Sequence, residues 1–210
     1  MFELSTPYRP AAILAAAAPP SPSGPRWRVR LLGAVDAVGV VGMAGVTDAG
    51  PTLSRWPTRA VAALLARLAL WPDRVHPREE LIELLWPGVG LSVGRNRLRQ
   101  ALSTLKALLE TRGAECAVAR GPAPVLLADR LGIRVVPGAL ACDALDFERR
   151  LRAGDWPAAQ ALYRGELMPG HYDEWVLQER RRLAALWERL DAACPLFLPV
   201  PAAGRYAMHA

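Results

Sequence analysis

Apolar residues recur every three to four positions in six segments of the chain, and this spacing predicts six amphipathic helices. Three of the segments cover 57–71, 77–86 and 92–111, and the other three lie within 143–193. Prolines near the start of the first two segments suit the first turn of a helix. Glycines and a Pro-Gly pair interrupt the later segments. The pattern therefore predicts two groups of three helices.

Alternating apolar and polar residues predict short strands on either side of the first group of helices. Before it, one strand starts at Trp27 and ends before Gly33, and the Val- and Gly-rich segment 35–46 predicts a second. The run Ala49-Gly50-Pro51 predicts a turn, which is followed by a short strand at 52–53. After the helices, strands are predicted at 115–119, 125–127 and 133–136, the last two as a hairpin.

This order and the composition divide the chain into four parts. We predict an α+β unit at 27–137, an all-α segment at 141–193 and a loose, proline-bearing tail at 194–210. Residues 1–25 carry an alanine run followed by Pro, Ser and Gly, which bury too little apolar surface to fold, so we predict a disordered leader. The alternative is a signal peptide, because the alanine run imitates the apolar core of such a segment.

The net charge of +6 is concentrated in the first part of the chain. Residues 1–140 hold 17 basic and 10 acidic side chains, whereas 141–210 hold 9 and 10. A basic protein attracts polyanions, so we look for a polyanionic partner in the first part.

Several classes of protein are disfavoured by what the sequence lacks. The sequence contains no run of about 18 apolar residues, so no transmembrane helix is predicted. Its three cysteines are widely spaced, which favours a reducing compartment over a disulfide framework. No zinc-ligand spacing, Walker loop, GxSxG or GxGxxG motif occurs. The acids Glu79, Glu80 and Glu83 fit the solvated face of a helix. We therefore predict a cytoplasmic protein that is not an enzyme and that needs no metal or cofactor.

The third predicted helix, 92–111, has the most distinctive pattern. Ser92 is its candidate N-cap, and Gly113 closes it. Over this range it carries four basic residues and one acid, Glu110. Its apolar residues fall on one face: Leu98, Ala101, Leu102, Leu105, Leu108 and Leu109.

The polar face of this helix predicts contacts with duplex DNA. The major groove admits one helix, in which Arg reads guanine and Asn or Gln reads adenine, while basic residues at the margins contact phosphates. The predicted base contacts are Asn96, Arg99, Gln100 and Ser103, and the predicted phosphate contacts are Arg95, Arg97 and Lys106. The hairpin that follows would lie along the DNA as a wing. The alternative is an ordinary surface helix of a globular protein.

Three stretches resemble the winged helix-turn-helix of antibiotic-regulatory-protein (SARP-type) activators, which is similar to the DNA-binding domain of OmpR-type response regulators. They are RVRLLG at 28–33, RAVAALLARLALWPDRVHPREELIELLW at 59–86 and NRLRQALSTLKALL at 96–109. The pattern Leu-Arg-x-x-x-Ser-x-Leu-Arg of the family's DNA-reading helix falls on Leu98, Arg99, Ser103, Leu105 and Lys106. The resemblance implies a bacterial, DNA-binding transcription regulator.

Residues 143–190 resemble the bacterial transcriptional activation domain (BTAD), a tetratricopeptide-like (TPR-like) array that follows the winged helix in this family. The matching stretches are CDALDFERRL, YRGELMPG and EWVLQERRRLAALWERL. The resemblance implies contact with RNA polymerase or with a second protomer. Two departures stand out: the wing segment GPAPVLLADRLGIRVV lacks the usual Gly-Tyr-x-Leu, and the array ends after about three helices.

A short array leaves apolar surface uncovered, because such repeats bury their faces by stacking. We therefore predict a protein interface, in the form of a homodimer contact, on the last helix. Its residues are Trp175, Leu183, Trp187 and Leu190. The alternative function for the whole chain is a protein-interaction module whose winged helix no longer binds DNA.

Overall fold

The computed structural model of the protein describes residues 24–41, 48–115 and 124–193, with side chains over 24–40, 50–110 and 124–189. The predicted leader up to residue 23, the predicted strand beyond Glu115 and the predicted tail lie outside these ranges.

The described chain is a mixed structure of two sheets and six helices. Its order is compatible with a winged helix followed by a helical segment. The elements are β1 (Trp27–Arg30), β2 (Asp36–Val41), β3 (Asp48–Leu53), α1 (Arg59–Leu70), β4 (His76–Pro77), α2 (Arg78–Leu85), α3 (Leu91–Glu115), β5 (Leu126–Ala128), β6 (Gly132–Val135), β7 (Leu140–Cys142), α4 (Asp143–Arg152), α5 (Trp156–Leu162) and α6 (Glu174–Ala193).

The first sheet has the strand order β3-β2-β1-β7, in which β7 runs parallel to β1 and the other pairs are antiparallel. The predicted turn at Ala49-Gly50-Pro51 is wrong, since these residues lie within β3. The register of β2 against β3 shifts between Val38 and Val40, which leaves Gly50 and Pro51 at a bulge. An edge strand with a bulge tolerates a proline because its missing N–H breaks no regular ladder bond.

The second sheet, of order β4-β6-β5, contains the predicted hairpin. The two-residue strand β4 pairs with β6 and leads directly into α2. So short a strand carries no periodic signal, and the sequence analysis missed it.

Helix α1 lies at the centre of the fold, because nine of its twelve residues are buried. The Thr58 hydroxyl caps it by accepting the N–H of Val61 at 3.2 Å. At α3 two predicted boundaries are wrong: the helix begins at Leu91, so Ser92 lies inside its first turn, and it continues past Gly113 to Glu115.

The helical segment shares one hydrophobic core with the part before it. Strand β7 pairs with β1, and the Asp143 carboxylate, at the start of α4, accepts the N–H groups of Leu31 at 2.8 Å and Leu32 at 3.2 Å. Burial raises the pKa of Asp143 to about 6. Further along, Leu32 bridges to Leu167. The proposed boundary near residue 138 thus separates two segments that are packed together, and the division into domains remains a prediction.

Candidate nucleic-acid interface

Helix α3 is held against the core by the apolar face that its periodicity predicts. Leu98, Leu105 and Leu109 are at most 1% exposed. The Trp27 indole N–H donates to the carbonyl of Leu109 at 3.1 Å, which ties the helix to β1. Near its start, a Cβ added to Gly94 would overlap the side chain of Ile82, so glycine there permits the close packing of α3 on α2.

The opposite face of α3 is open to solvent. All four side chains predicted to contact bases are exposed: Asn96, Arg99, Gln100 and Ser103. Of the three predicted phosphate contacts, Arg95 and Arg97 are exposed and Lys106 is half-buried. Within the face, the Arg99 guanidinium donates to the Asn96 side-chain oxygen at 3.4 Å. The structure therefore brings the predicted residues together on one surface, and their role on DNA remains a prediction.

Most basic groups of this surface have no acidic partner. Arg95 pairs with Glu79 of α2 at 3.3 Å. In the part of the chain that the structure describes, no ion pair involves Arg97, Arg99 or Lys106. Within the described residues, Arg99 and Lys106 near one border of the polar face and Arg97 near the other are thus left without an acidic partner.

The turn of the β5–β6 hairpin is fixed by Asp129. Its carboxylate accepts the N–H groups of Leu131 and Gly132, each at 2.8 Å, and these bonds lower the pKa of Asp129. Gly132 also lies against Val75 and the backbone of His76, where a Cβ would not fit without a shift. At the tip, Leu131 is 80% exposed and Arg130 is exposed beside it. This is the geometry of a preformed, solvent-facing turn.

The first three residues of α2, Arg78, Glu79 and Glu80, contact the hairpin turn, α3 and α1 in that order. Arg78 donates to the Asp129 carbonyl at 2.8 Å, and Glu79 pairs with Arg95. Glu80 pairs with Arg67 at 3.0 Å and with Arg74 at 2.6 Å. Because Arg78 and Glu79 are neighbours, the hairpin turn and the first part of α3 lie at the same end of α2.

The sequence analysis missed Arg78 and Asp129 as residues of this surface. A signal for the turn exists in Asp129-Arg130-Leu131-Gly132, since Asp followed three residues later by Gly is typical of a tight turn. No signal in the sequence links Arg78 to a turn 51 residues away.

The predicted protein interface on α6 needs a correction. Trp175 is 6% exposed and Leu183 is 1% exposed, so both belong to the core of this chain. Trp175 packs edge-on against Trp71, with ring centroids 6.3 Å apart. Trp187 is half-buried and stacks on Tyr163 at 4.4 Å, and the side chain of Leu190 lies outside the described residues. Trp71, directly after α1, and helix α4 thus cover part of the apolar face of α6.

Over 24–41, 48–115 and 124–193, no group of three His, Cys, Asp or Glu side chains is arranged to hold a metal ion. Burial lowers the pKa of both His76 and His171. No helix in the described ranges is long and apolar enough to cross a membrane.

No family model matches the chain, and no curated protein matches it. Among solved structures, the chain is similar to Mycobacterium tuberculosis EmbR in complex with a low affinity phosphopeptide. The identity is 22%, the match covers 81% of this chain and 42% of that chain, and the TM-score is 0.45. The chain thus spans less than half the length of EmbR. A likeness this loose carries no argument about function, which has to rest on the residues of the chain itself.

Proposed function

We propose that the chain is a transcriptional regulator that binds duplex DNA through α3 and the β5–β6 hairpin. The observation that supports this most is the polar face of α3, where Arg97, Arg99 and Lys106 have no acidic partner among the described residues and amide side chains lie between the charges. Such a face offers hydrogen bonds to base edges and positive charge to phosphates at once. The proposal places the protein in the cytoplasm and includes no catalytic step, metal or cofactor.

The hairpin supports the same proposal by its position. Its turn is attached through Arg78 to the end of α2 that also contacts Arg95 of α3. With α3 in the major groove, the turn would face the neighbouring backbone, and the exposed Arg130 would reach a phosphate. The resemblance of 143–190 to a transcriptional activation domain adds a role for the helical segment in contacting RNA polymerase.

The salt dependence of DNA binding tests this proposal. Neutralising about three to five phosphates gives a slope of log K against log salt of about −3 to −5, at about 0.9 per phosphate. Fluorescence anisotropy with a labelled genomic duplex, from about 50 to 300 mM salt, measures the slope. Circular dichroism on the same sample shows that the protein is folded.

Two results would contradict the proposal. One is the absence of binding by folded protein at about 50 mM salt, which would leave the alternative of a protein-interaction module. The other is a strong preference for single strands, since such proteins stack bases on exposed aromatic rings. Trp27 is fully buried, and Trp175 is buried against the half-buried Trp71. The exposed rings of Trp156 and Tyr172 lie in the helical segment, away from the sequence of α3 and the hairpin.

A further inference from the structure

The Arg95–Glu79 pair is the one acidic contact on the proposed DNA-binding face within the described residues. The Arg95 guanidinium lies 3.3 Å from the Glu79 carboxylate, and the two side chains are 58% and 57% exposed. A hydrogen bond to its own backbone N–H and the contact with Arg95 lower the pKa of Glu79, so its carboxylate is charged at neutral pH. A negative charge therefore lies beside a predicted phosphate contact.

The other acids of α2 have different surroundings. Glu80 pairs with Arg67 and Arg74, neither of which belongs to α3. Glu83 is exposed on the same helix, and no ion pair joins it to another residue of the described chain. Glu79 is thus distinguished from both by its contact with α3.

We infer that Glu79 restrains DNA binding by competing with phosphate for Arg95; this rests on the proposed function. In the free protein Arg95 is paired with the carboxylate. On DNA it has to exchange that partner for a phosphate, and the carboxylate is then left beside the phosphate backbone. Both effects oppose binding to any sequence, since neither involves a base.

The size of the effect follows from the exposure of the pair. An exposed ion pair makes a small net contribution, and Arg95 contacts the same phosphate on DNA with or without the Glu79 carboxylate. Glu79→Gln should therefore tighten duplex binding by up to about fivefold at low salt and change the salt slope by less than one unit. The gain should be similar on unrelated duplexes.

Glu83→Gln is the matched control, because it removes the same charge from the same helix without touching Arg95. Its effect on affinity should be smaller than that of Glu79→Gln, because Glu83 lies one helical turn away and acts on DNA only through screened solvent, without releasing a basic partner in the described chain. Arg95→Gln should weaken binding and flatten the slope by about one unit. When Arg95→Gln is already present, adding Glu79→Gln should tighten DNA binding only as much as Glu83→Gln does.

The experiment is an anisotropy titration of the intact protein and these variants with two unrelated duplexes over a salt series. Equal effects of Glu79→Gln and Glu83→Gln, or an undiminished effect in the Arg95→Gln background, would overturn the inference while leaving DNA binding intact. Absence of binding by every folded variant would remove the proposed function and this inference together. A thermal melt of each variant shows that the fold is retained.

Discussion

Helices α3 and α6 both carry several arginines beside an apolar face, yet they use them in different ways. In α3, Arg97 and Arg99 are exposed and have no acidic partner in the described part of the chain. In α6, Arg180 donates to the carbonyls of Leu167 at 2.9 Å, Met168 at 2.7 Å and His171 at 2.9 Å. The number of arginines on a helix therefore does not indicate an anion-binding surface.

Acidic residues account for much of the difference. Arg182 of α6 bonds to Glu148 of α4 at 2.6 Å and to Glu179 at 2.7 Å, and these contacts raise its pKa. The second part of the chain holds nearly equal numbers of acids and bases, whereas the first has an excess of bases. Arg180 and Arg182 of α6 thus bond within the fold, while Arg97 and Arg99 of α3 have no acidic partner among the described residues.

The largest expected effect is on α6. Arg180→Leu removes a donor that satisfies three carbonyls around Met168, a residue with a positive φ of 49°. Leaving such acceptors without a partner costs stability, so we expect the free energy of unfolding to fall by about 2–4 kcal/mol. Urea denaturation measures it. Arg181→Leu, at an exposed position of the same helix, should change it by less than about 0.5 kcal/mol. Equal effects of the two variants would mean that the carbonyl contacts do not stabilise the fold.

Arg99→Ala on α3 should weaken DNA binding and leave stability almost unchanged. Because Arg99 is exposed and bonds weakly to Asn96, the free energy of unfolding should change by less than about 0.5 kcal/mol. Binding to a specific duplex should weaken by about 1–3 kcal/mol, with specificity lost at one base pair. Anisotropy with a panel of single-base variants of the duplex measures both. Unchanged affinity for every duplex would show that the DNA-facing side of α3 is assigned wrongly.

Lys106→Ala should weaken DNA binding less than Arg99→Ala does, and without a change in sequence specificity. Lys106 is half-buried at the margin of the face, which suits a phosphate contact better than a base contact. All duplexes should bind more weakly to a similar degree, and the salt slope should flatten by about one unit. A change confined to one sequence would instead assign Lys106 to a base.

The smallest expected effect is on the ion pairs of α6. Glu148→Gln leaves Arg182 paired with Glu179; the Arg182 side chain is 44% exposed and that of Glu148 is 16% exposed. Since Arg182 keeps one partner and is open to solvent, the free energy of unfolding should change by less than about 1 kcal/mol and DNA binding should not change. A loss as large as that of Arg180→Leu would show that this pair holds α6 in place as strongly as the carbonyl contacts do.

Residue patterns predicted the parts of this protein whose cause is local. The spacing of Leu98, Leu105 and Leu109 predicted the buried face of α3, and their burial confirms it. The alternation around Trp27 predicted β1 in the same way. Where two local signals compete, prediction failed: Gly50 and Pro51 are typical turn residues, yet Ala49 and Thr52 on either side of them pair with β2, which leaves the two residues at a bulge within a strand. Trp175 and Leu183 show the same limit, because their periodicity could not tell which neighbouring helix would cover them.

The sequence by itself determined which face of α3 is apolar, which is polar and that the first part of the chain is basic, because periodicity and charge are read from neighbouring residues. Tertiary structure decided which charges are paired. Glu79 and Arg95 lie 16 residues apart, Arg78 and the Asp129 carbonyl 51, and Leu31 and the Asp143 carboxylate 112. Contacts over such separations depend on how the sheets and helices pack, so the open face of α3, the ion pair between Arg95 and Glu79 and the anchoring of the helical segment follow from the fold.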